Sequence, residues 1–489
     1  MQIAEIQFGQ FLPDHPDFQN PGCVRANNVY PSAGGYGPFR GAGNTSGSTS
    51  GECRGAAFFA RSTQDAITVG GGDDKLWVDV SGTVTATTGL TSIGSDNYWQ
   101  FQQFNSFVFA ASANNDLQHL TSIDSDTSWS AVSDAPERAK VIGKIGAHLV
   151  VGNLASNPYK FQWSGINQPT AFTADATNRA GNAELRHEFG HITGIAGDRF
   201  PLIFQEYGIN RVAAVGPPSV FQVEAIEEAR GAIAPNSVVT VGFVTFFLAH
   251  DGFWATDGAA TQPIGTSRVN EFFRDDASSV DLFRTHGAID WENQSVVWAY
   301  ASPESGGLFD RLIIYSWAEQ RWSTASMSLQ RLVQGTVNAT TLEGLDALYA
   351  SIDAIPISLD SVQFQARGRR LSAYLASGAN TELTVLDGDA LQADFETGEF
   401  QPAPGQRSMI SQVYPIVQNS AENTEARIIT KSAKGGPETI SAVGMLNEAG
   451  WCPVRAEGLY ARARMTIPAG AVWEKAQGVQ VGFRGAGMR

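Results

Sequence analysis

The stretch "SFVFAASANNDLQHL", residues 106–120, contains two short strand-like segments separated by a polar turn. Its first half, "SFVFAAS", is rich in aromatic and small apolar residues, and its second half, "NDLQHL", mixes polar and apolar ones. Asn and Asp between the two halves favour a tight turn. The pattern predicts an antiparallel hairpin whose first strand is buried.

The same arrangement recurs along the chain, with first strands that start 40, 41, 54, 44 and 50 residues apart. These first strands are "AITV" (66–69), "SFVFAAS" (106–112), "AHLVVGN" (147–153), "PLIFQEY" (201–207), "TFFLAHD" (245–251) and "SVVWAYA" (295–301). A seventh unit is expected at residues 344–358. Units of this length are typical of propeller blades, so we predict an all-β protein with a β-propeller of six to seven blades. A stacked β-sandwich is the alternative.

Two further segments flank the predicted propeller, which spans residues 56–358. Residues 1–55 are rich in Gly, Pro, Asn and Ser and end in "GAGNTSGSTSGE", which predicts an extended N-terminal arm followed by a flexible loop. Gly41, Gly43 and Gly47 match neither phosphate-loop spacing, so a plain loop is the better interpretation. Residues 359–489 alternate strand-like segments with Gly and Pro turns and predict a C-terminal β-sandwich-like domain.

Charge is unevenly distributed along the chain. The net charge is −16, which argues against a protein that wraps duplex DNA. From residue 401 onward there are ten Lys and Arg against six Glu, a net of +4; residues 1–400 hold 23 basic and 43 acidic residues, a net of −20. Cys23, Cys53 and Cys452 have no CxxC spacing and are expected to be free thiols. The N-terminus lacks the pattern of a signal peptide, and we expect a protein made in a reducing cytoplasm.

The string "RHEFGHITG" (186–194) contains the HExxH spacing of a zinc protease, with His187, Glu188 and His191. That motif needs a helix, on which both imidazoles share one face and the Glu acts as a base. Gly190 lies between the two His, and the residues that follow favour strand and turn. On a strand, the two His would lie on one face and Glu188 on the other. We therefore interpret the string as a coincidence, and a zinc peptidase remains only a third alternative.

Other sequence patterns that could indicate catalysis or ligand binding are equally weak. The remaining His are isolated, and the acidic turns at 72–74 and 124–126 are explained by turn chemistry, although a bound Ca²⁺ is an alternative there. Trp317 and Trp322 in "WAEQRW" are expected in the propeller core, with a sugar-stacking platform as the alternative. We predict no catalytic, cofactor-binding or metal-binding residue, and no enzyme.

Several long segments resemble one known family. "FLPDHPDFQNPGCVRANNVYPSAGGYGPFRG" near the N-terminus is similar to the N-terminal segment of virion proteins in tailed phages. Residues 161–172, 190–238 and 249–265 resemble the propeller of the tail nozzle (tail tubular protein B) family of short-tailed bacteriophages, and residues 450–489 resemble its C-terminal β-domain. The resemblance covers nearly the whole chain, and it is the order of the segments that makes it specific.

This resemblance implies a structural virion protein. Such nozzles are rings of propeller subunits, typically hexamers, below the adaptor and portal; they form the exit channel for genomic DNA and hold tail fibres or spikes. An acidic channel wall would keep DNA from sticking, because repulsion is felt over about 8 Å at physiological salt. We expect the acidic residues before 400 to line that channel in part. We also expect the basic C-terminal domain, with Arg462 and Arg464, to dock onto an acidic neighbouring subunit or the adaptor. The rival function is a receptor- or carbohydrate-binding tail propeller.

Overall fold

The protein is almost entirely β-structure. The computed structural model describes residues 2–43, 45–62, 66–80, 82–175, 177–197, 200–215, 219–336, 351, 369–419 and 422–487. Helical structure in this part of the chain consists of one short α-helix, Asn270–Asp276, and three single 3-10 turns, His187–Phe189, Pro235–Ser237 and Leu282–Arg284. The all-β prediction is confirmed.

Six four-stranded antiparallel sheets and four antiparallel strands of a ten-stranded sheet form the seven blades of a propeller. In each blade the strands are named inner, second, third and outer, from the propeller axis outward. Blade 1 consists of Gly55–Ala60, Ala66–Gly71, Lys75–Val80 and Thr83–Thr88. Blade 2 consists of Gln100–Phe104, Phe107–Ser112, Asn115–Leu120 and Ser130–Ala131. Blade 3 consists of Ala139–Ile145, His148–Leu154, Lys160–Trp163 and Gly181–Glu184.

The remaining blades follow in chain order, except that the last one borrows a strand. Blade 4 consists of Ile192–Ala196, Leu202–Gln205, Ile209–Ala214 and Phe221–Glu227. Blade 5 consists of Val239–Val241, Val244–Ala249, Gly252–Thr256 and Thr261–Pro263. Blade 6 consists of His286–Asp290, Ser295–Ala301, Phe309–Ser316 and Arg321–Leu329; blade 7 consists of Arg331–Thr336, Arg369–Ser377, Asn380–Val385 and, as its outer strand, Thr45–Ser50.

Each pair of neighbouring blades shares its own apolar core. In blade 3, Val150 packs with residues of blade 4, whereas Leu149 and Val151 pack with residues of blade 2. Second strands are covered on both faces, so their residues are apolar without interruption, as in "SVVWAYA", where every residue is buried. The inner strand of blade 7 contacts that of blade 1, and these contacts close the ring. The predicted propeller is confirmed, with seven blades.

The seventh blade differs from the unit expected at residues 344–358. Apart from Ser351, those residues lie outside the described part of the chain. The strands Arg369–Ser377 and Asn380–Val385, which the sequence placed in the C-terminal domain, belong to blade 7. Thr45–Ser50, within the stretch expected to be a flexible loop, is its outer strand, so the loop prediction is wrong for these residues. Small residues are needed there because a Cβ on Gly47 would lie 2.5 Å from Cγ2 of Val84 in blade 1.

The second domain consists of two sheets built from both ends of the chain. The first sheet contains Val29–Ser32, Gly35–Pro38, Lys475–Gly487, Arg407–Gln418 and Cys452–Gly458, with Gln2–Gln7 also paired to Lys475–Gly487. The second sheet contains Cys23–Asn27, Ala393–Thr397, Tyr460–Ile467, Glu425–Lys431, Glu438–Ile440 and Gly444–Met445. The N-terminal segment is extended, as expected, and its strands are part of these sheets.

The second sheet continues blade 6, and together they form one ten-stranded sheet. The two parts meet where Asn27 pairs in parallel with Thr324 of the blade's outer strand. One apolar cluster contains Trp298 and Trp322 of the propeller, Phe395 and Met465 of the second sheet, and Val481 of the first. The second domain and blades 5 and 6 are therefore held by a common core.

Candidate interaction surface

The HExxH string does not lie on an α-helix. His187–Phe189 is a single 3-10 turn, Gly190 has a φ of 77°, and His191 directly precedes the inner strand of blade 4. The two His therefore do not lie on adjacent turns of an α-helix. The strand alternation that we expected here is also wrong at His187–Phe189, because Phe189 is buried and the backbone turns to bring it inward.

The side chains of this string have local partners. The His187 ring stacks on Tyr159 at 4.1 Å between ring centroids, and its Nε2 contacts the Glu184 carboxylate, which lowers the pKa of Glu184. Glu188 is exposed and lies 3.6 Å from the Arg186 guanidinium. Among the described residues, no group of three or more His, Cys, Asp or Glu is arranged to hold a metal ion.

The acidic turns and the Gly-rich stretch are explained by backbone hydrogen bonds. Asp73 accepts the Gly94 N–H at 3.0 Å, and Asp124 accepts the Ser62 N–H at 2.9 Å. The amide N–H groups of Gly41 and Gly43 donate to carbonyls of Asp389 and Val385, so they do not form a phosphate cradle. These carboxylates and amides therefore hold neighbouring loops together by hydrogen bonds.

The three cysteines are free and buried. Burial raises the pKa of Cys23 and of Cys53 to about 12 and that of Cys452 to about 11. A thiol with so high a pKa is a poor nucleophile at neutral pH. The cysteines therefore act as small apolar side chains.

The two tryptophans of "WAEQRW" lie in different places, Trp322 in the core and Trp317 near the surface. Trp322 is buried in the large core cluster, as expected. Trp317 is half-buried and meets Trp291, which is 37% exposed, edge to face with an interplanar angle of 76°. Two rings at that angle do not present a flat stacking platform.

The outer face of the second sheet carries rows of charged side chains. Alternation along each strand puts the apolar residues of Tyr460–Ile467 into the core and leaves Arg462 and Arg464 on the outer face. In register across the strands, Arg25 lies opposite Glu396, Glu396 opposite Arg464, and Arg464 opposite Arg427. This row contains three cations and one anion.

Arg462 and Arg464 are already paired within the chain. Glu396, whose side chain is 5% exposed, lies 3.0 Å from the Arg462 guanidinium and 2.6 Å from that of Arg464. Arg462 also contacts Glu438 and lies 3.5 Å from Asp17. The docking role of Arg462 and Arg464 stays a prediction, and these intramolecular carboxylates reduce the positive charge that the two arginines offer to a partner.

The free charge on this face lies on other arginines. Among the described residues, Arg25 and Arg427 form no ion pair, and both are exposed. Together with Arg464 they line a groove of about 420 Å³ that also contains Asp394 and Glu425. This groove, called the arginine groove below, combines a cationic row with an acidic one and fits a partner that offers both charges.

Beside the arginine groove, the sheet ends in an exposed apolar edge. Ile440 is 55% exposed, Val443 40% and Met445 47%. The short strands Glu438–Ile440 and Gly444–Met445 that carry two of these residues pair on one side with Glu425–Lys431 and lie at the end of the sheet. Exposed apolar side chains on an edge strand are typical of contact surfaces between chains.

These features define a seven-bladed β-propeller protein with a two-sheet β-domain that carries a charged groove and an apolar edge. No family model matches the chain, and no curated protein matches it. The described residues contain no helix that is long and apolar enough to cross a membrane.

Solved propeller structures resemble the chain distantly. The Neurospora crassa Pan2 WD40 domain is 9% identical, with 71% of this chain and 95% of that chain covered and a TM-score of 0.37. The Myceliophteria thermophila Cps50 (Swd1) β-propeller domain is 10% identical, with 70% and 98% covered and a TM-score of 0.40. BamB from Moraxella catarrhalis is 11% identical, with 78% and 97% covered and a TM-score of 0.31. At this distance the neighbours carry no information on function, and the fold is defined by the sheet topology itself.

Proposed function

We propose that this protein is a structural subunit of a phage tail nozzle, a ring below the adaptor and portal through which genomic DNA leaves. The observation that carries the proposal is the placement of the family-like segments. Residues 190–238 and 249–265 fall in blades 4 and 5, and residues 450–489 supply strands to both sheets of the second domain. This is the two-part architecture that the resemblance implies.

In this proposal DNA passes between subunits and not through one propeller. The cavity on the propeller axis has a volume of about 250 Å³ and is lined by residues of six blades and of the segment that precedes blade 5, including Asn236. A double helix does not fit such a space. The conduit is therefore the opening at the centre of a ring, with acidic side chains of the propeller region on part of its wall.

The arginine groove and the apolar edge are the surfaces that we assign to contacts between neighbouring subunits. Arg25 and Arg427 supply unpaired positive charge, and the −20 net charge of residues 1–400 supplies acidic partners on the neighbour. Complementary charge fixes the orientation of docking, and the apolar edge supplies buried area. Adaptor and fibres would bind other faces of the ring.

Negative-stain electron microscopy of the purified protein, alone and mixed with the adaptor, tests the proposal. We expect rings with a central opening wide enough for a duplex. Particles that remain compact monomers in both samples would exclude a nozzle.

Two variants test the assigned surface separately. Arg427→Glu and Met445→Asp should both reduce the fraction of rings at physiological salt, as measured by mass photometry. The matched control is Arg484→Glu, which reverses an exposed charge on the other sheet and should leave ring formation unchanged. Rings that persist in both Arg427→Glu and Met445→Asp would disprove the surface assignment without disproving the nozzle.

A further inference from the structure

The axial cavity of the propeller contains a buried cation without a counterion. Arg331, the first residue of the inner strand of blade 7, is 8% exposed and lines the cavity. Among the described residues, no carboxylate lies within ion-pair distance of its guanidinium. Arg331 also lines an adjoining pocket that contains the carboxylates of Glu52 and Asp96. Glu52 is paired there with Arg54 at 3.3 Å and with Arg284 at 3.7 Å.

The surroundings of Arg331 disfavour its charge. Burial, together with repulsion from Arg284, lowers its pKa to about 10, although the Cys53 and Tyr98 side chains act in the opposite direction. The described lining of the axial cavity contains no Asp, Glu or Lys. Buried charges in proteins are normally paired, because desolvation of a lone ion is costly. The cavity therefore has a positive site in a protein whose net charge is −16.

A chain of hydrogen bonds fixes a second donor in the cavity wall. The Ile142 N–H donates to Oε1 of Gln100 at 3.2 Å, so the Gln100 amide nitrogen donates to Oδ1 of Asn236, also at 3.2 Å. The Nδ2 amide group of Asn236 is left buried without a hydrogen-bond partner among the described residues. Asn236 thus contributes a buried N–H group, and no free carbonyl oxygen, to the cavity wall.

His286 adds no charge to the cavity. Its Nε2 accepts the Leu332 N–H at 2.9 Å, so its proton lies on Nδ1, which faces the carbonyl of Arg284 without a hydrogen bond of ordinary geometry. Burial lowers the pKa of His286 well below its usual range and keeps the ring neutral. Among the described residues that line the cavity, Arg331 alone carries a positive charge.

We propose that the axial cavity binds a small oxyanion of the size of phosphate, held by the Arg331 guanidinium. A guanidinium pairs two of its N–H groups with two oxygens of an oxyanion, which a spherical halide does not offer. A volume of about 250 Å³ accepts such an ion together with some water. The site is independent of the proposed nozzle function, because it lies within a single propeller.

Thermal unfolding in phosphate and in chloride at equal ionic strength tests the site. Phosphate should raise the melting temperature of the wild-type protein in a saturable manner, and isothermal titration with phosphate should show one site per chain. In Arg331→Met, which keeps an apolar stem, the affinity should fall at least tenfold. The matched control Arg230→Met, at a partly exposed arginine paired with Asp251 away from the cavity, should bind like the wild type.

The same variant separates a binding role from a structural one. In phosphate-free buffer, Arg331→Met should melt no lower than the wild type, because it removes a buried unpaired charge. A large loss of stability in that buffer would show that Arg331 is a structural residue. Equal responses to phosphate and chloride, or an undiminished phosphate response in Arg331→Met, would show an adventitious ion only and overturn the proposal. If Arg331→Met does not fold, Arg331→Lys replaces it, and its affinity should fall because the lysine cannot form the paired contact.

Discussion

Glu396 is the residue on which the outer face of the second domain depends. It is almost fully buried between two arginines, so removing its charge leaves both guanidinium groups in a partly desolvated site. We expect Glu396→Gln to lower the free energy of unfolding by about 3 kcal/mol, as is typical when one partner of a buried pair is removed. Urea unfolding followed by circular dichroism measures this loss.

An exposed ion pair provides the control for Glu396. Arg138 and Asp116 are 3.1 Å apart with more than half of each side chain exposed. Asp116→Asn should therefore cost less than about 1 kcal/mol. Equal losses in the two variants would contradict the role assigned to Glu396.

Asp134 makes stability depend on pH. Its carboxylate accepts hydrogen bonds from the Thr173 hydroxyl at 2.6 Å and from the N–H groups of Thr173 and Phe172, and these bonds lower its pKa. A depressed carboxyl pKa stabilises the fold above the unfolded pKa of about 3.9, and this contribution is lost as the pH falls through the folded pKa. Asp134→Asn should therefore lower the melting temperature at pH 7, and the deficit should shrink below pH 4.

Melting curves from pH 7 down to pH 3 test this pH dependence. Glu304→Gln, at an exposed carboxylate, is the control and should change the curves little. A deficit in Asp134→Asn that stays constant over the whole range would show that the carboxylate charge is not responsible.

Single residues were predictable from the sequence only where local geometry decides their role. Gly190 argued against a zinc-binding α-helix, and the structure has a single 3-10 turn there in place of an α-helix. The isolation of Arg331 was not predictable, because it depends on which side chains of other blades meet it on the axis. The pairing of Glu396 with two arginines depends likewise on strands far apart in the chain.

At the scale of the element, the outer strand Thr45–Ser50 closes the propeller. It pairs with Asn380–Val385 and packs against blade 1, where Gly47 leaves room for Val84 and Asp79. We expect Gly47→Val to force these neighbours apart and to cost about 1–3 kcal/mol, the usual range for overpacking. Hydrogen–deuterium exchange should show lost protection in residues 45–50 and 380–385.

Gly37→Ala is the control for this substitution. A Cβ on Gly37 would lie 3.4 Å from the Glu474 carbonyl oxygen, an ordinary contact. Exchange that increases equally everywhere in Gly47→Val, and not first in the two paired strands, would contradict a closure role.

The second and third strands of blades 1 to 6 were predictable, because each pair forms a hairpin with an apolar first member. The inner and outer strands were not, since many are short or polar, such as Ser130–Ala131 and Thr83–Thr88. Blade 7 was the hardest case, because its outer strand comes from a Gly- and Ser-rich stretch more than 300 residues away along the chain. Strand pairing over that distance leaves no local pattern.

At the scale of the whole molecule, the shared core should make the two domains unfold together. Phe395 is fully buried, stacks on Phe8 at 4.5 Å and belongs to the cluster that includes Trp298 of blade 6. We expect Phe395→Ala to lower stability by about 3–5 kcal/mol. Calorimetry should show one transition, shifted as a unit, in both the wild type and the variant. Two transitions, with only the lower one moved, would show that the second domain unfolds on its own.

The junction between blade 6 and the second domain has a mechanical consequence. Among the described residues, backbone pairing between these two strands is limited to Asn27 and Thr324. The rest of the junction is joined by side-chain hydrogen bonds, such as the one that the Ser323 hydroxyl donates to the Val29 carbonyl at 2.6 Å. Tension applied across the molecule would act on these few hydrogen bonds, whereas the long strand pairings on either side distribute the force over many hydrogen bonds. The protein should therefore yield first at this seam, and because the core is shared, both domains should then unfold together.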